Sequence, residues 1–292
     1  MKKIAFILGG LILTQAAFAQ TRTSIASASA GNNDTFGFNS GNISLDTQFS
    51  GSGSPVSINH TQSFSGVDGN DDPQTMTLNA EAFASANYGI LRASATASIQ
   101  NNFFSSSNAW YFNPTSGQVN PQGVADTFLI AGSTSFSDVF TYTGLGAGFT
   151  VNFFYQVDGV MTGDNPYTNL IVTNNGTQEI FNAVPNQNGI VNTTFITQKY
   201  TPLNNQIAHS VQFTSGVSYH TYDYFDGANL LSTADFDSTI TLVGMIAYDA
   251  SGNIATGWSF SAASGADYGA VPEPATMTIL ALAALIAKKR KI

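Results

Sequence analysis

From Phe149 to Val157 the chain alternates, with Phe149, Val151, Phe153, Tyr155 and Val157 set against Thr150, Asn152 and Gln156. A period of two sends successive side chains to opposite faces of an extended strand, so such a segment can bury its apolar set only as one face of a sheet. Leu91, Ala93, Ala95, Ala97 and Ile99 repeat the pattern against Arg92, Ser94, Thr96 and Ser98, and Met76, Leu78, Ala80, Ala82 and Ala84 form a third row. Alanine at so many of these positions predicts that the packed layers come close together there. Further strands are expected at 167–173, 177–182, 190–197, 207–213, 217–225, 239–249 and 254–262. No segment between the two chain ends sustains a 3.6-residue period, which argues against a helical domain.

Turn dipeptides punctuate these runs. Asp158-Gly159, Asn175-Gly176, Asn188-Gly189, Asp226-Gly227 and Ser251-Gly252-Asn253 all supply residues that accept positive φ, as tight connections between antiparallel neighbours require. Many short strands at such spacing predict an all-β fold, an antiparallel β-sandwich with jelly-roll-like connections over residues 20–262. A closed outer-membrane barrel is the rival; it needs strands of about ten residues with an apolar outer band. Residues 20–61, with phrases such as TSIASASAG and FSGSGSPVS, read as edge strands with long loops or as a flexible arm.

Both ends of the chain carry addressing patterns. Met1-Lys2-Lys3, the apolar run from Ile4 to Leu13 and the small residues Ala17 and Ala19 make residues 1–19 a signal peptide, with signal peptidase cutting before Gln20. At the other end Pro272-Glu273-Pro274 precedes an apolar run from Ala275 to Ala287, broken only by Thr276 and Thr278, and the basic cluster Lys288, Lys289, Arg290 and Lys291. The prolines hold the tripeptide extended. The thirteen residues that follow would rise roughly 20 Å as a helix, less than the roughly 30 Å hydrocarbon core, and the cations can snorkel to make up part of the difference. By the positive-inside bias the cations stay cytoplasmic and the tripeptide lies at the opposite face of the membrane.

Residues 271–292, with this tripeptide, apolar helix and basic end in order, resemble the PEP-CTERM sorting signal. The resemblance implies recognition by exosortase, a membrane-embedded processing enzyme, removal of the tail, and delivery of the remainder to the cell surface or to an extracellular matrix rich in exopolysaccharide. Residues 263–271 then read as a spacer. The alternative reading of the tail is an ordinary anchor that holds the protein in a bilayer.

With both ends set aside, Arg22, Arg92 and Lys199 face seventeen acids, a net charge of −14. Such a field repels a phosphate backbone, so nucleic acid is not an expected partner, and it repels an anionic lipid surface equally. Cysteine is absent, which removes disulfides, thiol catalysis and thiolate metal sites together.

Signs of chemistry are sparse. His60, His209 and His220 fall on different expected strands, outside any HExxH motif, and alternation reads His209 and His220 as solvent-facing or core-edge. No GxSxG elbow occurs. Asp68, Asn70 and Asp72 have the D-x-N-x-D spacing that can aim oxygens at a calcium ion, but Pro73 and Asn79 stand where an EF-hand has its glycine and glutamate. The bland alternative is a solvated acidic loop. Trp110 and Tyr111, followed by Phe112, cannot all face one side of a strand and are a candidate surface for stacking sugar rings, core packing being the alternative. The expected function is that of a non-enzymatic exported surface or matrix protein. A secreted glycan- or calcium-binding module is second and a secreted hydrolase third.

Overall fold

The computed structural model describes residues 20–32, 43–67, 73–101, 111–113, 118–120, 126–163, 165–220 and 230–268. Among them are fifteen strands: β1 (Thr21–Asn32), β2 (Ile43–Ser50), β3 (Val56–Val67), β4 (Pro73–Asn87), β5 (Ile90–Asn101), β6 (Tyr111–Asn113), β7 (Gln118–Asn120), β8 (Asp126–Thr143), β9 (Thr150–Thr162), β10 (Pro166–Asn174), β11 (Thr177–Phe181), β12 (Ile190–Ile196), β13 (Gln206–His220), β14 (Leu230–Tyr248) and β15 (Ser259–Ala262). No described residue is helical, so no described helix is long and apolar enough to cross a membrane.

The strands form two sheets. One runs β11-β10-β13-β8-β1-β2, with β15 also on β8; the other runs β12-β9-β14-β5-β4-β3-β7-β6. Neighbours are antiparallel except β3 and β7, which meet in parallel at Ser65 and Gln118. The inner faces pack on each other as a β-sandwich. All five residues of the Phe149–Val157 row are buried, as are Leu91, Ala93, Ala95, Ala97 and Ile99. Each large apolar side chain removed from water contributes roughly 1.5–3 kcal/mol, and a chain without disulfides has to hold its sheets by such burial.

The core changes character along its length. Ala26, Ala28, Ala80, Ala82, Ala95 and Ala97 line one half, around Leu78, Ile99, Phe128 and Ile130. There the backbones nearly touch: a Cβ placed on Gly132 of β8 would lie 2.1 Å from the Phe83 carbonyl oxygen and 3.0 Å from that of Ser94. Polar ties cross the gap, with Thr134 donating to the Ser85 carbonyl (3.3 Å) and Ser215 to that of Ala234 (2.7 Å). In the other half aromatic rings separate the sheets, such as Phe140 against Phe153 at 5.8 Å and Phe213 against Phe236 at 5.3 Å. The close approach expected from the alanine rows is therefore present.

Several expectations need correction. Within residues 20–61 the edge reading holds for β2, which ends its sheet, but β1 is neither an arm nor an edge: it lies between β8 and β2, with Ala26 and Ala28 fully buried, and β3 lies between β4 and β7. Asp158-Gly159 is not a turn but the middle of β9, where a Cβ on Gly159 would come within 2.5 Å of the Asp235 carbonyl oxygen, so the glycine lets the bulged strand β14 pass. The two strands expected at 207–213 and 217–225 are one, β13, which runs unbroken to His220. Asn175-Gly176 is the expected hairpin turn, with φ of 47° and 84° between β10 and β11.

Gly132→Ala is expected to lower the unfolding free energy by about 1–3 kcal/mol through overpacking against a carbonyl that cannot move aside. The change reads as a shift in the urea midpoint. Gly146→Ala, whose methyl meets nothing within 4 Å, is expected to leave that midpoint in place.

Candidate functional site

Most residues singled out by sequence lie outside the described residues: Ala17, Ala19, Asp68, Asn70, Asp72, Trp110, Pro272, Glu273, Pro274, Lys288, Lys289, Arg290 and Lys291. Gln20 is described and exposed. Tyr111 opens β6, but its side chain, like that of His220, lies outside what is described. The described residues instead define a site that the sequence did not announce, where the two ends of the domain meet.

That site is on β8. One edge of this strand is taken by β13; the other is shared by the first and last strands of the domain laid end to end, β1 along Asp126–Ser137 and β15 along Phe140–Thr143. Asp138 stands at the junction. Phe136, Asp138 and Phe140 alternate along the strand and all are buried, which puts a carboxyl in an apolar row. Burying such a group is costly unless its oxygens are fully hydrogen-bonded. Here Val139 N–H (2.8 Å) and Ser264 N–H (3.0 Å) donate to Oδ1, and the Ser264 hydroxyl and Tyr268 hydroxyl (2.6 Å) donate to Oδ2. Ala263 N–H adds a bond to the Val139 carbonyl.

The chain beyond β15 is thus docked, not loose. The Tyr268 ring lies 5.0 Å from Phe140 and 6.2 Å from Phe136, and its far side meets Gly89 at the β4–β5 turn of the opposite sheet. Burial, and then the bond to Asp138, push its hydroxyl well above the usual tyrosine range. At the other chain end Thr21 and Ser137 share a hydroxyl hydrogen bond of 2.8 Å, one residue from Asp138. Residues 263–268, read from sequence as spacer, therefore belong to the folded domain.

His209 corrects a second expectation. It is not on the surface or at the core edge but at the centre of the aromatic half, stacked on Phe153 at 4.4 Å and beside Phe140 and Phe136. Asn174 Oδ1 accepts from its Nδ1–H (2.6 Å), which leaves Nε2 to accept from the Tyr155 hydroxyl (2.6 Å). With both nitrogens engaged in a dry core, burial pushes its pKa down to about 3. A neutral imidazole walled off by rings cannot serve as a proton shuttle at neutral pH. Among the described residues no group of three or more His, Asp or Glu could hold a metal ion. What the arrangement can do is mechanical: Asp138 clamps the exit of the chain onto its longest inner row. No family model matches this chain, and no curated protein matches it.

Two predictions follow from these geometries. Asp138→Ala strands four donors, the Val139 and Ser264 N–H groups and the Ser264 and Tyr268 hydroxyls, and is expected to cost about 3 kcal/mol in urea denaturation, with Tyr268→Phe costing about half as much. Limited proteolysis is expected to cut the Asp138→Ala protein first within residues 263–268.

Because His209 stays neutral when folded and has an ordinary value near 6.5 when unfolded, the unfolded chain takes up the extra proton as pH falls. Its contribution is full above pH 6.5 and is lost toward about pH 3, at up to roughly 1.4 kcal/mol per pH unit. His209→Leu is expected to flatten the stability profile across that window, whatever its effect at neutral pH.

Proposed function

We propose that the chain is an exported, non-enzymatic cell-surface or matrix protein with a jelly-roll-like sandwich as cargo and a C-terminal sorting signal read by exosortase. The observation that carries this reading is the order of parts beyond Tyr268: three residues, then Pro272-Glu273-Pro274, the apolar run and the basic end. Tyr268, docked on Asp138, lies four residues before Pro272 in the chain. Six residue steps separate Tyr268 from Pro274 and extend at most about 21 Å, so the tripeptide stays within that distance of the clamp. An enzyme in the membrane that grips the tripeptide therefore has the folded cargo directly above it.

Other features are consistent with the same reading. The first strand begins at Thr21, one residue past the expected signal-peptidase cut, so removal of residues 1–19 would take nothing from the described fold. Absence of cysteine leaves the fold independent of the redox state of the compartment it reaches. A net charge of −14 favours solubility in a matrix of neutral polymer and disfavours nucleic acid. From β8 onward the chain passes between sheets at almost every connection, which supports the jelly-roll-like description. The non-enzymatic reading draws on His209, whose acid–base chemistry is suppressed by its burial.

Mass spectrometry of the mature C-terminus in cell fractions tests this. The surface or matrix product is expected to lack Lys288–Lys291, and Glu273→Ala is expected to leave the full-length chain in the membrane fraction. A surface product that keeps its basic end would overturn the reading.

A further inference from the structure

We infer that β12 is a self-pairing edge through which two copies of this chain join, extending the second sheet from one copy into the next. This rests on the strand geometry alone and not on the sorting signal.

Among the described residues β12 is the outermost strand of its sheet, paired only with β9. The register with β9 is unbroken from Ile190 to Ile196. At its ends Gly189 O accepts from Met161 N–H, and Thr197 N–H donates to Phe153 O, which assigns odd-numbered residues to the β9 side. Ile190, Asn192, Thr194, Ile196 and Gln198 therefore turn their backbone groups outward. The two at the ends are taken. Ile190 N–H donates to Asn186 Oδ1 and its carbonyl accepts Asn186 N–H, while Gln198 N–H donates to the Glu179 carboxylate at 3.0 and 3.1 Å. Among the described residues the backbone groups of Asn192, Thr194 and Ile196 have no such outward partner.

This window is symmetric about Thr194. An antiparallel copy placed on a twofold axis there sets Thr194 opposite Thr194 and Asn192 opposite Ile196, so that all three outward residues on each copy form hydrogen bonds. Any strand with a longer free edge would have to displace the Asn186 or Glu179 bonds; a second copy brings a window of the same length. The sequence also lacks what normally blunts an edge. Ile-Val-Asn-Thr-Thr-Phe-Ile contains no charge, proline or glycine, although the protein around it is strongly acidic. Like-charged copies can thus approach at this strand without opposing charges within it. Ile196 is 54% exposed, and on the same flank Ile180 and Val184 are 57% and 81% exposed beside the stacked rings of Phe181 and Phe195. These are the apolar side chains a second copy would cover.

The absence of cysteine makes the pairing directly testable in the full chain solubilised in mild detergent. Opposed residues of a hydrogen-bonded antiparallel pair lie about 5.5 Å apart at Cα, within disulfide reach. Thr194→Cys is expected to form a disulfide-linked dimer under mild oxidation, and Leu231→Cys, also exposed but on β14, is expected not to. The unmutated chain is expected to sediment at twice the monomer mass, and Ile196→Lys to return it to the monomer. A chain that stays monomeric at all concentrations, Thr194→Cys that links no better than Leu231→Cys, or linkage of Thr194→Cys to a different protein would each overturn the proposal.

Discussion

The inner row of β8 is the constraint on which the rest depends. Phe128, Ile130, Gly132, Thr134, Phe136, Asp138, Phe140 and Tyr142 follow one another along a single strand of 18 residues, and each sets the local distance or chemistry between the sheets. Gly132 and Thr134 bring the backbones together; Phe136, Phe140 and Tyr142 hold them apart. A sandwich that tightens at one end and opens at the other cannot slide its layers past each other, because alanine rows fit only the narrow end and rings only the wide one. Register along β8 therefore fixes the register of β13, β1 and β15 at once.

Three of the buried polar side chains make specific ties between elements. Asp138 ties the exit segment to β8, and Ser215 ties β13 to β14. His209 ties β13 to Asn174 of β10 in its own sheet and to Tyr155 of β9 in the other. Hydrophobic contact is non-directional and would tolerate alternative pairings, whereas a buried donor left without its acceptor is penalised by about 1–3 kcal/mol. The apolar rows supply the cohesion and these three ties select one arrangement.

What the sequence made legible follows the same division. Rows with uninterrupted apolar alternation, such as Phe149–Val157 and Leu91–Ile99, were read correctly as buried sheet faces because both the period and the side-chain type agree. β8 escaped the reading although it is the centre of its sheet. Its inner row contains Gly132, Thr134 and Asp138, which look polar or neutral in sequence and owe their burial to partners far along the chain, Phe83, Ser85 and Tyr268. β1 was read as an edge strand or an arm for a related reason, since Ser24, Ala26 and Ala28 are too small to stand out yet are what a narrow core demands. Asp158-Gly159 carried a turn dipeptide whose glycine serves close approach instead. The Asp138 clamp had no local signature, because the residues that complete it lie about 130 positions away. One signal could have found it: a lone acid in phase with Phe136, Phe140 and Tyr142.

The two flanks of the sandwich are unequal for a physical reason. On the first sheet the free edge of β8 is closed by the first and last described strands, β1 and β15, and sealed at their junction by Asp138, so that sheet gains continuity from strands about 100 residues away. The opposite flank has no such reserve. β11 and β12 end their sheets with five and seven residues, joined across the flank by one ring stack and the Glu179 bonds to Gln198 and Tyr200. Closing that flank from within would need another strand between β12 and the first sheet, and the eight residues from Asn182 to Gly189 are used in reaching β12 at all. An edge that no described strand of its own chain completes must meet water, a blocking charge or a partner, and β12 carries no charge. Its short window of three outward residues then limits how much any partner can add, and a copy of itself is the partner whose limits coincide with its own.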